Sequence, residues 1–187
     1  HGGDIVDGVS AKENELLLLS TLARNANEAQ CPTYYAKGNH DWNLLYVNQN
    51  GASADQYILN TELSKRTNCF NKRDAHGNVE EMYFYVDDEV TKIRTIFINE
   101  FNKDESGEKT ALGNNAQVYG QEQLEWFANE ALDFSDKADR AEWGVIVIGH
   151  QMIDSRIASI LVNFKNGTSQ NVSVTENGET FTVSVNF

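Results

Sequence analysis

Three short polar strings carry side chains suited to metal and acid–base chemistry: Gly3-Asp4-Ile5-Val6-Asp7-Gly8, Gly38-Asn39-His40-Asp41 and Gly149-His150. Carboxylate, side-chain amide and imidazole are borderline to hard donors that suit Mn, Fe, Zn or Mg. Asp4 can bridge two cations, Asn39 offers a neutral amide oxygen, and the His150 imidazole is a good transition-metal donor. His40 adjoins Asn39, so the two side chains can point differently, one to a metal and one to a substrate. A histidine so placed can protonate a leaving group, and a carboxylate on its far nitrogen would hold the tautomer. Taken singly, each residue has an ordinary role. Asp and Asn cap turns, and a histidine after a buried strand is commonly a hydrogen-bonded structural one. The conjunction points to one site built from distant parts of the chain.

Each string follows a run that reads as a strand. Residues 1–8 read as a strand end and its turn, 32–37 as a second strand opened by Pro32, and 143–148 as a continuous apolar strand. Between the first two, Ser10-Ala11-Lys12-Glu13 has the form of a capping box. Leu16, Leu19, Leu22, Ala23 and Ala26 then recur at helical spacing. Strand, helix, strand predicts parallel pairing. Asp4 and Asn39 then lie at the carboxyl ends of neighbouring strands, where open α/β sheets hold their sites.

Further along, residues 53–65 predict a helix with Tyr57, Ile58 and Leu63 partly buried. Residues 68–78 are polar and turn-rich, and His76 among them reads as a solvated loop histidine. Residues 82–86 and 92–99 predict two strands around an Asp87-Asp88-Glu89 turn, and 101–117 a long polar loop. Leu124, Phe127, Ala128, Ala131 and Leu132 share one face of a helix over 121–132. Ile153, Ile157, Ile160, Leu161 and Phe164 predict another, started by Asp154 or Ser155 and ended by Gly167. The tail alternates around Asn177-Gly178 as a β-hairpin, with Phe181, Val183, Val185 and Phe187 on one side.

A chain of 187 residues with 40% apolar content suits one domain, 1–187, with a real core. No apolar run approaches the roughly 18–20 residues that cross a bilayer. A formal charge of −13 opposes general nucleic-acid binding, and with it a nuclease. Cys31 and Cys69 lack metal-ligand spacing and read as buried or half-buried thiols. No basic, apolar leader is present, which tilts the compartment toward the cytoplasm. The chain lacks an initiator Met, opens inside a motif and stops in a running strand, so both ends are expected to be cut. The oligomeric state is left open.

In this order, the strings resemble the calcineurin-like metallophosphoesterase superfamily, whose pattern runs D-x-H, G-D-x-x-D, G-N-H-D/E, G-H and G-H-x-H. Gly3 to Asp7 matches the second block, Gly38 to Asp41 the third and Gly149-His150 the fourth. The resemblance implies an α/β fold, a four-layer α/β/β/α sandwich here incomplete at both ends. It implies two divalent ions (Mn, Fe, Zn or Ni) and a phosphate mono- or diester, attacked in line by a hydroxide bridging the ions. It further implies that Asp4 bridges both ions and that Asn39 and His150 bind the second. His40 would donate the proton to the leaving oxygen, Asp7 would orient His40, and Asp41 would support the turn. The D-x-H and G-H-x-H blocks are missing from the chain, so each ion would lack ligands. The chain alone is therefore expected to be weakly active or inactive. The alternative is a binding or structural module that keeps the fold without turnover. Gly8 stands where phosphoprotein phosphatases carry Arg, and Asp7 where purple acid phosphatases carry Tyr, so neither branch is implied.

Overall fold

The apolar runs around residues 83–86, 93–98 and 145–148 join in one sheet in a computed structural model, which describes residues 1–28, 32–67, 75–102, 117–176 and 179–185. The sheet has four strands in the order β1 (His76–Asn78), β2 (Tyr83–Asp88), β3 (Ile93–Phe97) and β4 (Gly144–Ile148). The first three are antiparallel, and β3 pairs with β4 in parallel. The parallel step follows from the helical segment between β3 and β4, since a parallel pair needs a crossover. The fold is mixed α/β, as expected.

Successive residues of β2 and β3 face opposite sides. On one face, Tyr83, Ile96 and Ile98 pack with Leu124, Phe127, Ile157 and Ile160. On the other, Phe84 and Phe97 stack at 4.9 Å and meet Tyr34 and Ala36. Segments 1–8, expected as a strand end and its turn, and 32–37, expected as a strand, form no named strand, and the first bends at Gly3 and Asp4 with positive φ. They make one rung in the parallel sense: the His1 amino nitrogen donates to Tyr34 O at 2.7 Å, and Ala36 N donates to His1 O at 2.9 Å.

That helix, α1 (Lys12–Glu28), covers Ile5, Val6 and Tyr35 with Leu19. Its start differs from the expected capping box. Glu15, not Glu13, reaches back, and its Oε1 accepts from Val9 N at 3.1 Å, Ser10 N at 2.8 Å and Ser10 Oγ at 2.8 Å. Leu19 and Ala23 are buried and Leu16 and Ala26 pack on the Leu19 cluster, as the spacing predicts, while Glu15 joins the buried set and Leu22 is 39% exposed.

Residues 53–65 divide into a 3₁₀ turn at Ala54–Gln56 and α3 (Asn60–Thr67), and an unexpected α2 (Leu44–Asn50) follows the second string. The helix over 121–132 runs as α4 (Gln121–Trp126) into a wider π turn, Phe127–Ala131. In α5 (Ser155–Asn166), the Asp154 side chain accepts from Arg156 N and Ile157 N, and Gly167 closes the end at φ 60, as the sequence predicts. The hairpin strands β5 (Gln170–Glu176) and β6 (Glu179–Val185) pair Glu176 with Glu179, the register a two-residue loop requires. Val174, Val183 and Val185 enter the same core as α4 and α5. Asn177-Gly178, Phe187, Cys31, Cys69 and most of 68–78 and 101–117 lie outside the described residues. No helix among the described residues is long and apolar enough to cross a membrane.

Two further expectations change. His76 is exposed, as read, but it sits in β1 rather than a loop, stacked on Tyr85 at 5.0 Å, because residues 76–78 pair with 83–85. β4, read as a continuous apolar strand and so expected in a buried setting, lies at the edge of the sheet. Nothing among the described residues pairs with its outer side, and Ile146 is 47% exposed.

The turn expected at Asp87-Asp88-Glu89 is formed, with Asp88 at the end of β2 accepting from Val90 N and Thr91 N, while Asp87, next to last in β2, anchors an ion pair. Arg94, 1% exposed, takes both its oxygens at 2.7 and 2.9 Å and lies between the Tyr85 and Phe134 rings. Lys137 adds a contact at 2.9 Å. Burial would push the Asp87 carboxyl up, but Arg94 and Lys137 outweigh it and hold the group below its ordinary value. A carboxylate lowered on folding stabilises the fold above the ordinary aspartate range, and that contribution fades as pH falls through the folded value. Asp87→Asn should therefore cost about 2 kcal/mol at neutral pH. The gap to wild type should narrow below about pH 4. Urea melts across pH check this, and a gap independent of pH would contradict it.

Candidate metal centre

Asp41 ties the first two strings together. Its side chain is fully buried, with Oδ1 accepting from Ile5 N at 2.7 Å and Val6 N at 3.1 Å, and Oδ2 from Gly38 N at 2.7 Å. Burial pushes its carboxyl up, opposed by these three N–H bonds. The turns lie so close that a Cβ on Gly38 would strike the Asp4 backbone nitrogen and carboxylate. Gly8, at φ +63, lies against the His40 carbonyl oxygen, so no side chain fits there either.

The three expected metal donors converge. Asp4, at φ 49, holds His40 N with Oδ1 at 2.9 Å and presents Oδ2 3.2 Å from His150 Nε2. Asn39 Oδ1 lies 3.0 Å from the same nitrogen. A positive φ at a non-glycine residue is tolerated by Asp and is typical of functional turns. His150 Nδ1 meets the Gly2 carbonyl at 2.7 Å, so that nitrogen can hold the ring proton and leave Nε2 to a cation. In that tautomer three acceptor atoms face one another, an arrangement that suits a positive charge between them. Neighbouring ligands in an octahedral shell of radius about 2.1 Å are about 3 Å apart. The donor set thus fits one divalent cation. Among the described residues there is no group of three or more His, Cys, Asp or Glu that could hold a metal ion; Asp4 and His150 are joined here by an amide.

His40 lies beside this cluster, with Nδ1 2.6 Å from the backbone oxygen of Asp7. The partner is the Asp7 carbonyl rather than the expected carboxylate, which is exposed. The reason is the tight Asp7-Gly8 turn, which folds its backbone over His40. The carbonyl keeps the proton on Nδ1 and turns Nε2 outward.

Two buried groups were not singled out from the sequence. Glu100, just past β3, accepts from the His150 and Gln151 amides, the latter at 2.6 Å, and from Gln117 Nε2 at 3.0 Å. Burial pushes its carboxyl up, against those amide bonds. Lys37 is buried, with Nζ 2.5 Å from Asn60 Oδ1 and 3.1 Å from Phe101 O, joining α3 and the end of β3 to the second string. The available signal was a charged residue in, or directly after, an otherwise apolar strand.

Carboxylate, amide and imidazole are thus gathered on turns at one end of a mixed α/β fold. The family model described as calcineurin-like phosphoesterase matches residues 1–168, and the chain belongs to that family. No curated protein and no solved structure matches it significantly.

Proposed function

We propose that the protein is a metal-dependent hydrolase of phosphate mono- or diesters, with His40 as proton donor and Asp4, Asn39 and His150 as cation ligands. The observation that carries the reading is the meeting of Asp4 Oδ2 and Asn39 Oδ1 with His150 Nε2 at 3.2 and 3.0 Å, with His40 alongside. A divalent cation there (Mn, Fe, Zn or Ni), and a second sharing Asp4, would supply Lewis acidity toward a phosphoryl oxygen and toward water. The chain's own groups do the rest. Asp41 holds the two turns in register. The Asp7 carbonyl orients His40, whose Nε2 faces outward to hand a proton to the leaving oxygen. Residues 1–187 act as one domain, since the β5–β6 hairpin shares the core of α4 and α5.

Mn²⁺-dependent release of p-nitrophenol from its phosphate mono- and diesters tests the reading. The chain alone should turn over slowly, because the three donors complete no ion's shell. Asn39→Ala should lower any metal-dependent rate by about 100-fold. A rate unmoved by either metal or Asn39→Ala would refute the assignment. Mn²⁺ binding with no turnover would favour the non-catalytic module.

A further inference from the structure

We propose that Glu100 is a positioning residue for His150: its buried carboxylate grips the amides of His150 and Gln151 and so sets where the imidazole meets Asp4 and Asn39. The inference rests on the reading of those residues as a cation site.

The argument starts from the end of the sheet. β3 and β4 stay in register through Phe97 and Ile148, and the last rung is Ile98 N to Ile148 O at 3.0 Å. Beyond it the chain turns at Gly149, and the next two N–H groups leave the ladder. Buried or half-buried amides need partners. Glu100 Oε2 accepts both, although it lies 50 residues away from His150 in the chain. Gln117 Nε2 fixes the other oxygen at 3.0 Å and also donates to Met152 O at 3.1 Å, closing the turn from its far side.

The imidazole is thus fixed at two points. The ring is held through Nδ1 by Gly2 O, and the backbone is held by Glu100. A grip on the backbone alone leaves the ring free to swing, and a grip on Nδ1 alone leaves the turn free to move. Together they aim Nε2. Only a carboxylate suits the place, because three donors converge on it and it offers acceptors alone. A glutamine would turn an N–H₂ toward one of those donors. The contact is to ligand backbone, not to substrate, so the effect should fall on metal affinity.

Mn²⁺ titration followed by the EPR signal of free Mn²⁺ tests this on the whole chain, comparing wild type, Glu100→Gln and Asn39→Ala. Glu100→Gln should bind Mn²⁺ about 10–100-fold more weakly than wild type. Excess Mn²⁺ should restore any hydrolysis the variant loses, which a merely structural lesion would not allow. Equal affinity in Glu100→Gln and wild type would overturn the role of Glu100 while leaving the cation site intact. Absence of Mn²⁺ binding by wild type would overturn both. A measurement without substitution covers a variant that fails to fold. In wild type, the His150 and Gln151 amides should exchange slowly with D₂O although they lie beyond the ladder, and fast exchange would refute the grip.

Discussion

Replacing Asp41 with alanine should cost about 3–5 kcal/mol and abolish Mn²⁺ binding together, although Asp41 is not a ligand. Its carboxylate accepts the buried N–H groups of Ile5, Val6 and Gly38 at 2.7–3.1 Å. Each buried donor left without an acceptor costs about 1–3 kcal/mol, and alanine leaves all of them so. The site suffers for a reason of connectivity. Asp4 directly precedes Ile5, and Asn39 directly follows Gly38, so the bonds that Asp41 makes hold the neighbours of two donors. Water entering the space left by the side chain could satisfy some of these groups but would not hold the turns at one separation. Asp41→Asn should fall between, since one amide oxygen remains while its N–H₂ opposes one or more of the donors. Urea unfolding and Mn²⁺ titration of both variants check this. A loss under about 1 kcal/mol with normal binding would mean that the turns are held by other contacts.

The legible and illegible parts of this protein divide by how local their causes are. Asp4, Asn39, Asp41 and His150 could be read because each lies in a short string whose glycines are required by close approach of the turns. At Gly38 the Asp4 backbone leaves no room for a Cβ. The helix in 12–28 and most of its buried face were legible from its apolar spacing, but its cap was not. Where the first turn begins decides whether Glu13 or Glu15 caps it, and the structure chose Glu15. Strand order is less local still. Val145-Ile146-Val147-Ile148 reads as buried, yet the exposure of Ile146 depends on what lies beyond β4, which residues 145–148 do not encode. Glu100 shows the limit. Its bonds to the turn at Gly149-His150 run across 50 residues, and a glutamate after an apolar strand has no signature that tells a clamp from a solvated end. The family resemblance implied the Asp7 carboxylate on His40, but the backbone of the Asp7-Gly8 turn puts the carbonyl there instead.

His40→Ala should give the largest kinetic loss, and its size should depend on the leaving group. With Nδ1 bonded to the Asp7 carbonyl at 2.6 Å, only Nε2 can give up a proton to a substrate. A positioned acid of this kind contributes about 10²–10⁴ in rate when the departing oxygen needs a proton. An alkoxide leaves poorly unless protonated, so kcat for an alkyl phosphate ester should fall about 1,000-fold. A p-nitrophenolate leaves readily as the anion, so its loss should be about 10-fold. A uniform loss across a leaving-group series would instead assign His40 to substrate binding. Asp7→Asn separates the two ways Asp7 could act. If the carbonyl does the orienting, the substitution should change kcat by no more than about threefold, because the backbone bond survives. A loss as deep as that of His40→Ala would return the role to the carboxylate. The contrast matters beyond this residue pair. A carbonyl cannot take a proton from Nδ1, so His40 must regain the proton it donates at Nε2 from solvent, where its half-exposed ring already lies.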